Sequence, residues 1–332
     1  MSVIMVVIDG ALSSDYNVCE NIKKIKLSGS INNTPQGMEV NSLTCIMNML
    51  GIPYKKIPKG RAYLEAIALG ENIKDNDLIL RCNDIKIKNG KLVSSNEVSS
   101  KDISEISNFK LIDMGSYKNL LIVRDGRKFC KSLKTFEPHQ NIGKLITEIL
   151  PSCENLEFTN FLMKLIYKYN LYPWGQSVKE EFPSFYSLHN INGAVVCKTE
   201  IVKGIGRTIK MFTPDLPGTT ADVDTDLNIK AKTALELSFK YDFVLLHING
   251  GDESAHRRNI DEKLNFMKKI DCEVIGYLIR NLKKDTSLIV TSDHGTSSEN
   301  GEHINDCVKY YIYNNNVETQ KWINRNCSFQ GS

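Results

Sequence analysis

Three short apolar runs frame this chain. Val3 to Ile8, Phe243 to Ile248 and Ser287 to Thr291 show no polar alternation, the pattern of strands covered on both faces. Elsewhere apolar residues recur at helical spacing. Leu43, Ile46, Met47 and Leu50 form one such set, stopped by Gly51-Ile52-Pro53. Residues 61–69, Glu200 to Ile209 and Asp226 to Phe239 form others, the last with Thr225 as its expected N-cap. Leu264, Met267, Asp271, Val274, Ile275 and Leu278 trace a further helical stripe. Gly193 to Cys197 reads as a strand ending at Lys198, Met211-Phe212-Thr213 as another, and Tyr310 to Tyr313 as a late or edge strand. Strands alternating with helices predict an α/β fold, a mostly parallel sheet with helices on both faces.

The pattern changes near residue 78. Leu78 to Cys82, Ile85 to Lys88, an Asn89-Gly90 turn and Lys91 to Val93 read as strand, strand, hairpin turn and strand. Leu120 to Val123 continues the strand-rich pattern, while 141–150 and 157–168 read as helices. The expected organisation is a core of residues 1–77 and 181–332 with an inserted α+β module, 78–180.

Composition narrows the function classes. The chain has 332 residues, 41% hydrophobic and 24% charged, with a formal net charge of +3. That charge is too small to argue for nucleic acid as a partner, and no basic–aromatic interleaving supports one. The N-terminal apolar run lacks a basic flank and ends in Asp9, so it does not read as a signal peptide. No stretch approaches the roughly 20 apolar residues of a membrane span. Nine cysteines occur without a CxxC pair, so neither a disulfide framework nor a structural zinc site is indicated. Cys197 and Cys272 read as small core residues. A cytoplasmic, reducing setting is expected.

The candidate chemistry sits where the apolar runs end. Asp9 closes the first, Asp252 and His256 follow the second, and Asp293-His294 follow the third, with His303 shortly after. The carboxyl edge of a parallel sheet is where ligands bind in such folds. A carboxylate–imidazole set of this size suggests two divalent metals bridging a phosphoryl group. The four-residue step from Asp252 to His256 puts both on one face of a helix starting there. His247, inside an apolar strand, reads as a packed histidine; His189 has no supporting neighbours. Ser42 opens a helix, where it could be a simple N-cap or could face an anion at the positive helix end. Arg81 interrupts an apolar strand, where an unpaired charge is costly.

Val6-Val7-Ile8-Asp9-Gly10, the segment from Asp242 to His256, and Thr291-Ser292-Asp293-His294-Gly295 resemble the alkaline phosphatase superfamily. Gly60-Arg61, Arg81-Cys82-Asn83, Glu137-Pro138-His139, Lys203-Gly204-Ile205-Gly206-Arg207, Pro217-Gly218-Thr219-Thr220 and Asp224-Thr225-Asp226 make the chain similar to archaeal-type cofactor-independent phosphoglycerate mutases. The resemblance implies an alkaline-phosphatase-like core with the inserted module as a lid. It implies an isomerase of phosphotransferase type that interconverts 3-phosphoglycerate and 2-phosphoglycerate through a phosphoserine at Ser42. One metal would be held by Asp9, Ser42, Asp293 and His294, the other by Asp252, His256 and His303, with manganese, magnesium and zinc all open. Arg61, Arg81, Lys198, Lys203 and Arg207 would grip the small phosphorylated substrate, and His139 would handle a proton. The altered residues around Ser42 and after His303 keep an alternative open, a metal-dependent phosphatase or phosphodiesterase on another small phosphate ester. A third possibility is a degenerate binding protein without turnover.

Overall fold

The computed structural model describes residues 2–98, 109–115 and 117–314. Its chain divides into two compact units, 1–57 with 182–332, and 58–181. The second unit begins at Pro58, so the helix Ala62–Ala68 belongs to it and not to the metal-bearing unit that the sequence pattern suggested.

In the first unit the strand order is Leu27–Ile31, Val308–Tyr313, Thr286–Thr291, Ser2–Ile8, Phe243–Ile248, Gly193–Val196. The last four run parallel; Val308–Tyr313 is antiparallel to its neighbours on both sides. This is the α/β architecture expected from the strand–helix alternation. Ser2–Ile8 lies in mid-sheet because its run is apolar on both faces: Ile4, Val6, Val7 and Ile8 are all inaccessible to solvent. Ile4, Val6 and Ile8 join a core with Leu246, Ile248, Phe266, Met267, Val274 and Val290.

Several local expectations are corrected. Tyr310 to Tyr313 is not an edge, because Leu27–Ile31 pairs outside it. That outer strand carries the sequence Leu-Ser-Gly-Ser-Ile and is mostly exposed, so it gives no apolar signal. Met211-Phe212-Thr213 contributes only a single parallel bridge, Phe212 to Ala194. The cap of the Leu227–Leu237 helix is Asp226, whose carboxylate accepts from the Ile229 N–H at 3.0 Å, and not Thr225. The stripe from Leu264 to Leu278 passes through a π-helical turn, Ile270–Ile275. There the buried Asp271 turns its carboxylate to the Asn21 and Ile22 amides, at 2.8 and 3.0 Å. Cys197 is buried as expected, but Cys272 is exposed.

The second unit is an antiparallel sheet in the order Phe109–Asp113, Lys118–Val123, Leu78–Asp84, Leu171–Val178. The helix Leu156–Tyr169 packs on it through Phe158, Leu162 and Leu165. Asn89 and Gly90, both at positive φ, turn the hairpin between Lys86–Lys88 and Lys91–Ser94, the turn an Asn-Gly pair favours. Residues 141–150 are not an α-helix; one 3-10 turn ends at Asn141 and another spans Ile146–Glu148. Among the described residues, no helix is long and apolar enough to cross a membrane.

Candidate metal centre

Sheet register builds the site. Val7 is level with both His247 and Thr291, so neighbouring parallel strands end side by side. The residues just past those ends converge on one crevice. Asp9 continues the ladder by donating its N–H to the Ile248 carbonyl at 3.0 Å. The chain then turns at Gly10, where φ is +72° and a Cβ would lie 2.8 Å from the Asp252 Cα; no other residue suits both demands. The helix Gly250–His256 opens on two glycines, and a Cβ on Gly251 would press within 2.8 Å of the Asp9 carbonyl. That close approach brings Asp252 beside Asp9.

Asp252, His256 and His303 form one cluster. His256 Nε2 lies 3.1 Å from Asp252 Oδ2, His303 Nε2 lies 3.6 Å from Asp252 Oδ1, and the two Nε2 atoms are 3.2 Å apart. Each ring turns its Nδ1 to a backbone carbonyl, His256 to Gly301 at 2.7 Å and His303 to Val40 at 2.8 Å. A carbonyl can only accept, so both Nδ1 atoms carry hydrogen, and a ring that gives up its Nε2 proton to a metal turns that lone pair to the same point. This outer bonding is how metal-ligating imidazoles are oriented.

Asp9, Asp293, His294 and Ser42 form the adjoining cluster. His294 Nε2 lies 3.6 Å from Asp9 Oδ1 and 3.5 Å from Asp293 Oδ2. The Ser42 hydroxyl lies 3.4 Å from Asp9 Oδ2 and 3.3 Å from His294 Nε2. Ser42 is not the cap of its helix: Asn41 accepts from the Thr44 N–H at 2.9 Å. The serine hydroxyl is thereby left for the cluster, at the positive end of the Ser42–Met49 helix. The His294 and His303 rings are 4.1 Å apart, so the two clusters are contiguous.

The electrostatics call for cations. Asp9 Oδ1 and Asp293 Oδ2 are buried without a hydrogen-bond partner. Burial first, then the charges of Asp293 and Asp252, push the Asp9 carboxyl well above its usual range. Burial would raise Asp252 as well, but hydrogen bonds from His256 and His303 and the charge of His294 hold it well below. The bond to Asp252 raises His256 to about 9. Carboxylate oxygens without hydrogen-bond partners, gathered with imidazoles, are the donor set of divalent first-row metals. Asp252–His256–His303, Asp9–Asp252–His294 and Asp9–His247–Asp293 each offer ligand atoms within 4.8 Å of one another.

The last group contains a residue that the sequence pattern placed in the core. His247 is buried, but its Nε2 lies 3.2 Å from Asp9 Oδ2. Burial lowers it to about 4, so it stands beside Asp9 as a neutral ring. Its signal was the imidazole itself, level with Val7 and so on the same side of the ladder as Asp9. Two other residues were missed. Thr296 donates to Asp252 Oδ1 at 2.5 Å. Lys263, 1% exposed, donates to the Gly10 and Thr296 carbonyls at 2.8 Å and pairs with Asp15 at 2.8 Å. It ties the turn after Asp9 to the segment after His294.

Of the expected anion grips, Lys198, Lys203 and Arg207 belong to the first unit, and Arg61 and Arg81 to the second. Lys198 is exposed; Lys203 pairs with Asp215 at 2.5 Å, not with the carboxylate cluster; Arg207 donates through Nε to Thr213 at 3.1 Å. In the second unit, Arg61 and Arg81 share the buried Glu65 at 2.7 and 3.2 Å. The Arg81 guanidinium stacks 4.5 Å over Trp174, a cross-strand partner. His139 lies edge-on to the same ring and 3.1 Å from Glu137. His189 takes a structural place, with Nε2 at 2.8 Å from the Leu50 carbonyl.

Carboxylates and imidazoles delivered by adjacent strand ends around one hydroxyl define a centre of the metal-dependent enzyme type. The chain belongs to the Metalloenzyme superfamily, whose model matches residues 12–330. It is 26% identical over 330 residues to the 2,3-bisphosphoglycerate-independent phosphoglycerate mutase of Methanothrix thermoacetophila, covering 90% of this chain and 83% of that protein. It is 28% identical over 324 residues to the protein of the same name from Methanosarcina barkeri, covering 87% and 80%. Its fold is similar to that of a Pyrococcus horikoshii protein (TM-score 0.68, 19% identity, covering 97% and 92%). A cofactor-independent phosphoglycerate mutase from Thermoplasma acidophilum is also similar in fold (TM-score 0.58, 19% identity, covering 96% and 91%).

Proposed function

We propose that this chain is a cofactor-independent phosphoglycerate mutase, interconverting 3-phosphoglycerate and 2-phosphoglycerate through a phosphoserine at Ser42. One observation carries the reading: the Ser42 hydroxyl stands 3.4 Å from Asp9 and 3.3 Å from His294, beside buried carboxylate oxygens that have no hydrogen-bond partner. Relatives that carry the mutase name, matched over most of this chain, support it. Two divalent ions fit the donor set, manganese, magnesium or zinc. Asp9, Ser42, Asp293 and His294 would hold one, and Asp252, His256 and His303 the other. Bound there, such ions supply charge that acidifies the hydroxyl and neutralises phosphoryl oxygens.

The protein's own groups do the rest. Ser42 attacks phosphorus and the substrate oxygen leaves; the phosphoryl group returns from Ser42 to the other glycerate hydroxyl. Thr296 and the Val40 and Gly301 carbonyls hold Asp252, His303 and His256 in place. Arg61, Arg81, Lys198, Lys203 and Arg207 are assigned to the substrate's phosphate and carboxylate, for which guanidinium forks are suited. His139, paired with Glu137, is assigned to proton handling. A cytoplasmic role in glycolysis follows from the reaction. The test is mutase turnover coupled to enolase, without added 2,3-bisphosphoglycerate. Release of inorganic phosphate outpacing isomerisation would instead make the chain a phosphatase.

A further inference from the structure

His247 lies near the carboxyl end of the apolar strand Phe243–Ile248, 1% exposed, and neither of its ring nitrogens makes a hydrogen bond. The other histidines of this unit are anchored. His189, His256 and His303 each turn a ring nitrogen to a backbone carbonyl at 2.7–2.8 Å, and His294 Nδ1 reaches the Thr296 hydroxyl at 3.4 Å. An imidazole buried unbonded is costly, and packing in an apolar strand favours an apolar side chain. Among the described residues, eight buried side-chain atoms lack a hydrogen bond, and four of them belong to His247, Asp9 and Asp293. The unsatisfied atoms thus gather in one place. Those three residues each offer a ligand atom within 4.8 Å of the other two.

Nε2 of His247 lies 3.2 Å from Asp9 Oδ2, yet the pair is not aligned as a hydrogen bond. Two donors bound side by side to one ion, each about 2.1 Å from it, stand about 3.0–3.4 Å apart and point past each other. The observed pair matches both features. Asp9 Oδ2 is also the oxygen that the Ser42 hydroxyl approaches, at 3.4 Å. We infer that His247 is itself a metal ligand, which joins Asp9 and Asp293 around the ion beside Ser42 and gives that ion a second imidazole besides His294. The inference rests on the metal assignment proposed above and adds to it a ligand and a selectivity. Imidazole suits zinc and its first-row neighbours, whereas magnesium favours oxygen, so His247 weights the site against magnesium.

The test counts ligating imidazoles in the full-length protein loaded with cobalt(II), with metal content measured in every sample. The paramagnetic ion drives the ring N–H of each ligating imidazole far outside the ordinary proton range, and the signal vanishes in D2O. Signals are expected from His247, His256, His294 and His303, and His247→Leu should lose one of them at equal cobalt content. The same variant should bind zinc at least about 10-fold more weakly, a loss no smaller than that of a group which only orients a ligand. Its magnesium affinity should fall by no more than about threefold. Without metal it should melt no lower than the parent, since leucine belongs in an apolar strand. A parent that lacks the fourth signal, or a variant that keeps every one, overturns the inference. So does an equal loss of zinc and magnesium affinity, the mark of damaged packing. Should the variant not fold, the signal count of the unaltered protein decides. A parent that binds no cobalt overturns the metal centre, and the His247 ligand with it. All the signals without mutase turnover would retire the mutase reading and leave the ligand standing.

Discussion

Two charged clusters occupy this chain, and they resolve their charge differently. In the second unit, Glu65 is 2% exposed and lies between Arg61 and Arg81. Burial alone would raise it, but the two guanidiniums outweigh burial and hold it below its ordinary value. Its charge is compensated from within by two ion pairs, although Glu65 Oε2 makes no hydrogen bond. In the first unit, Asp9 and Asp293 keep oxygens without hydrogen bonds, and burial with mutual repulsion drives Asp9 upward. A buried polar group without a partner persists where function needs it. The first cluster holds paired charges of opposite sign, while the second gathers like charges that a cation would compensate.

The sharpest way to break that contrast is at the nucleophile. Ser42→Ala should cut mutase turnover on the order of a thousandfold or more, with manganese content unchanged by elemental analysis. Turnover near the parent level would end the phosphoserine proposal. Next in size, stripping the metals with EDTA should lower thermal stability. The loss is about 4 kcal/mol if the metal had been present at a thousand times its Kd. In the stripped protein Asp9→Asn should raise the melting temperature, because it removes a repelled buried charge.

Glu65→Gln should do the opposite in every metal state. It leaves Arg81, only 12% exposed in its side chain, buried without its partner, and breaking such a pair costs about 3–5 kcal/mol. Denaturant unfolding measures this, and a loss of under 1 kcal/mol would show that Arg81 does not depend on Glu65.

The smallest effect concerns pH, and the clusters should respond with opposite signs. Glu65 has a depressed folded value, so its contribution is present above the unfolded carboxylate pKa and lost as pH falls through the folded one. Asp9 has a raised folded value, so in metal-free protein its contribution is full below the unfolded pKa and lost as pH rises through the folded one. His256 is raised to about 9 without metal, so its contribution is full below the unfolded imidazole pKa and fades as pH passes 9. Metal must displace that proton. Metal affinity should therefore climb with pH up to about 9, with proton release read by calorimetry in buffers of different ionisation enthalpy. Replacing His256 with Gln should flatten the climb.

Much of the centre was legible beforehand, because non-alternating runs mark interior strands, and interior parallel strands all end at one edge. Asp9, Asp252 and Asp293 fell into place from that alone, with the four-residue step adding His256. The exposed Leu27–Ile31 strand was not legible, since sheet pairing through the backbone leaves no trace in polar side chains. The segment 141–150 misleads for the converse reason: its apolar residues are spaced like a helix, and Ile146 and Ile149 enter one core cluster from a single 3-10 turn.

Sequence by itself thus determined which residue types arrive at the sheet edge, since periodicity encodes burial over a few neighbouring positions. Only the tertiary structure decided who satisfies whom. It made Asn41 the helix cap and left Ser42 its hydroxyl, turned His247 toward Asp9, and gave Lys263 three oxygens. Hydrogen-bond satisfaction joins groups hundreds of residues apart, and no local pattern carries that information.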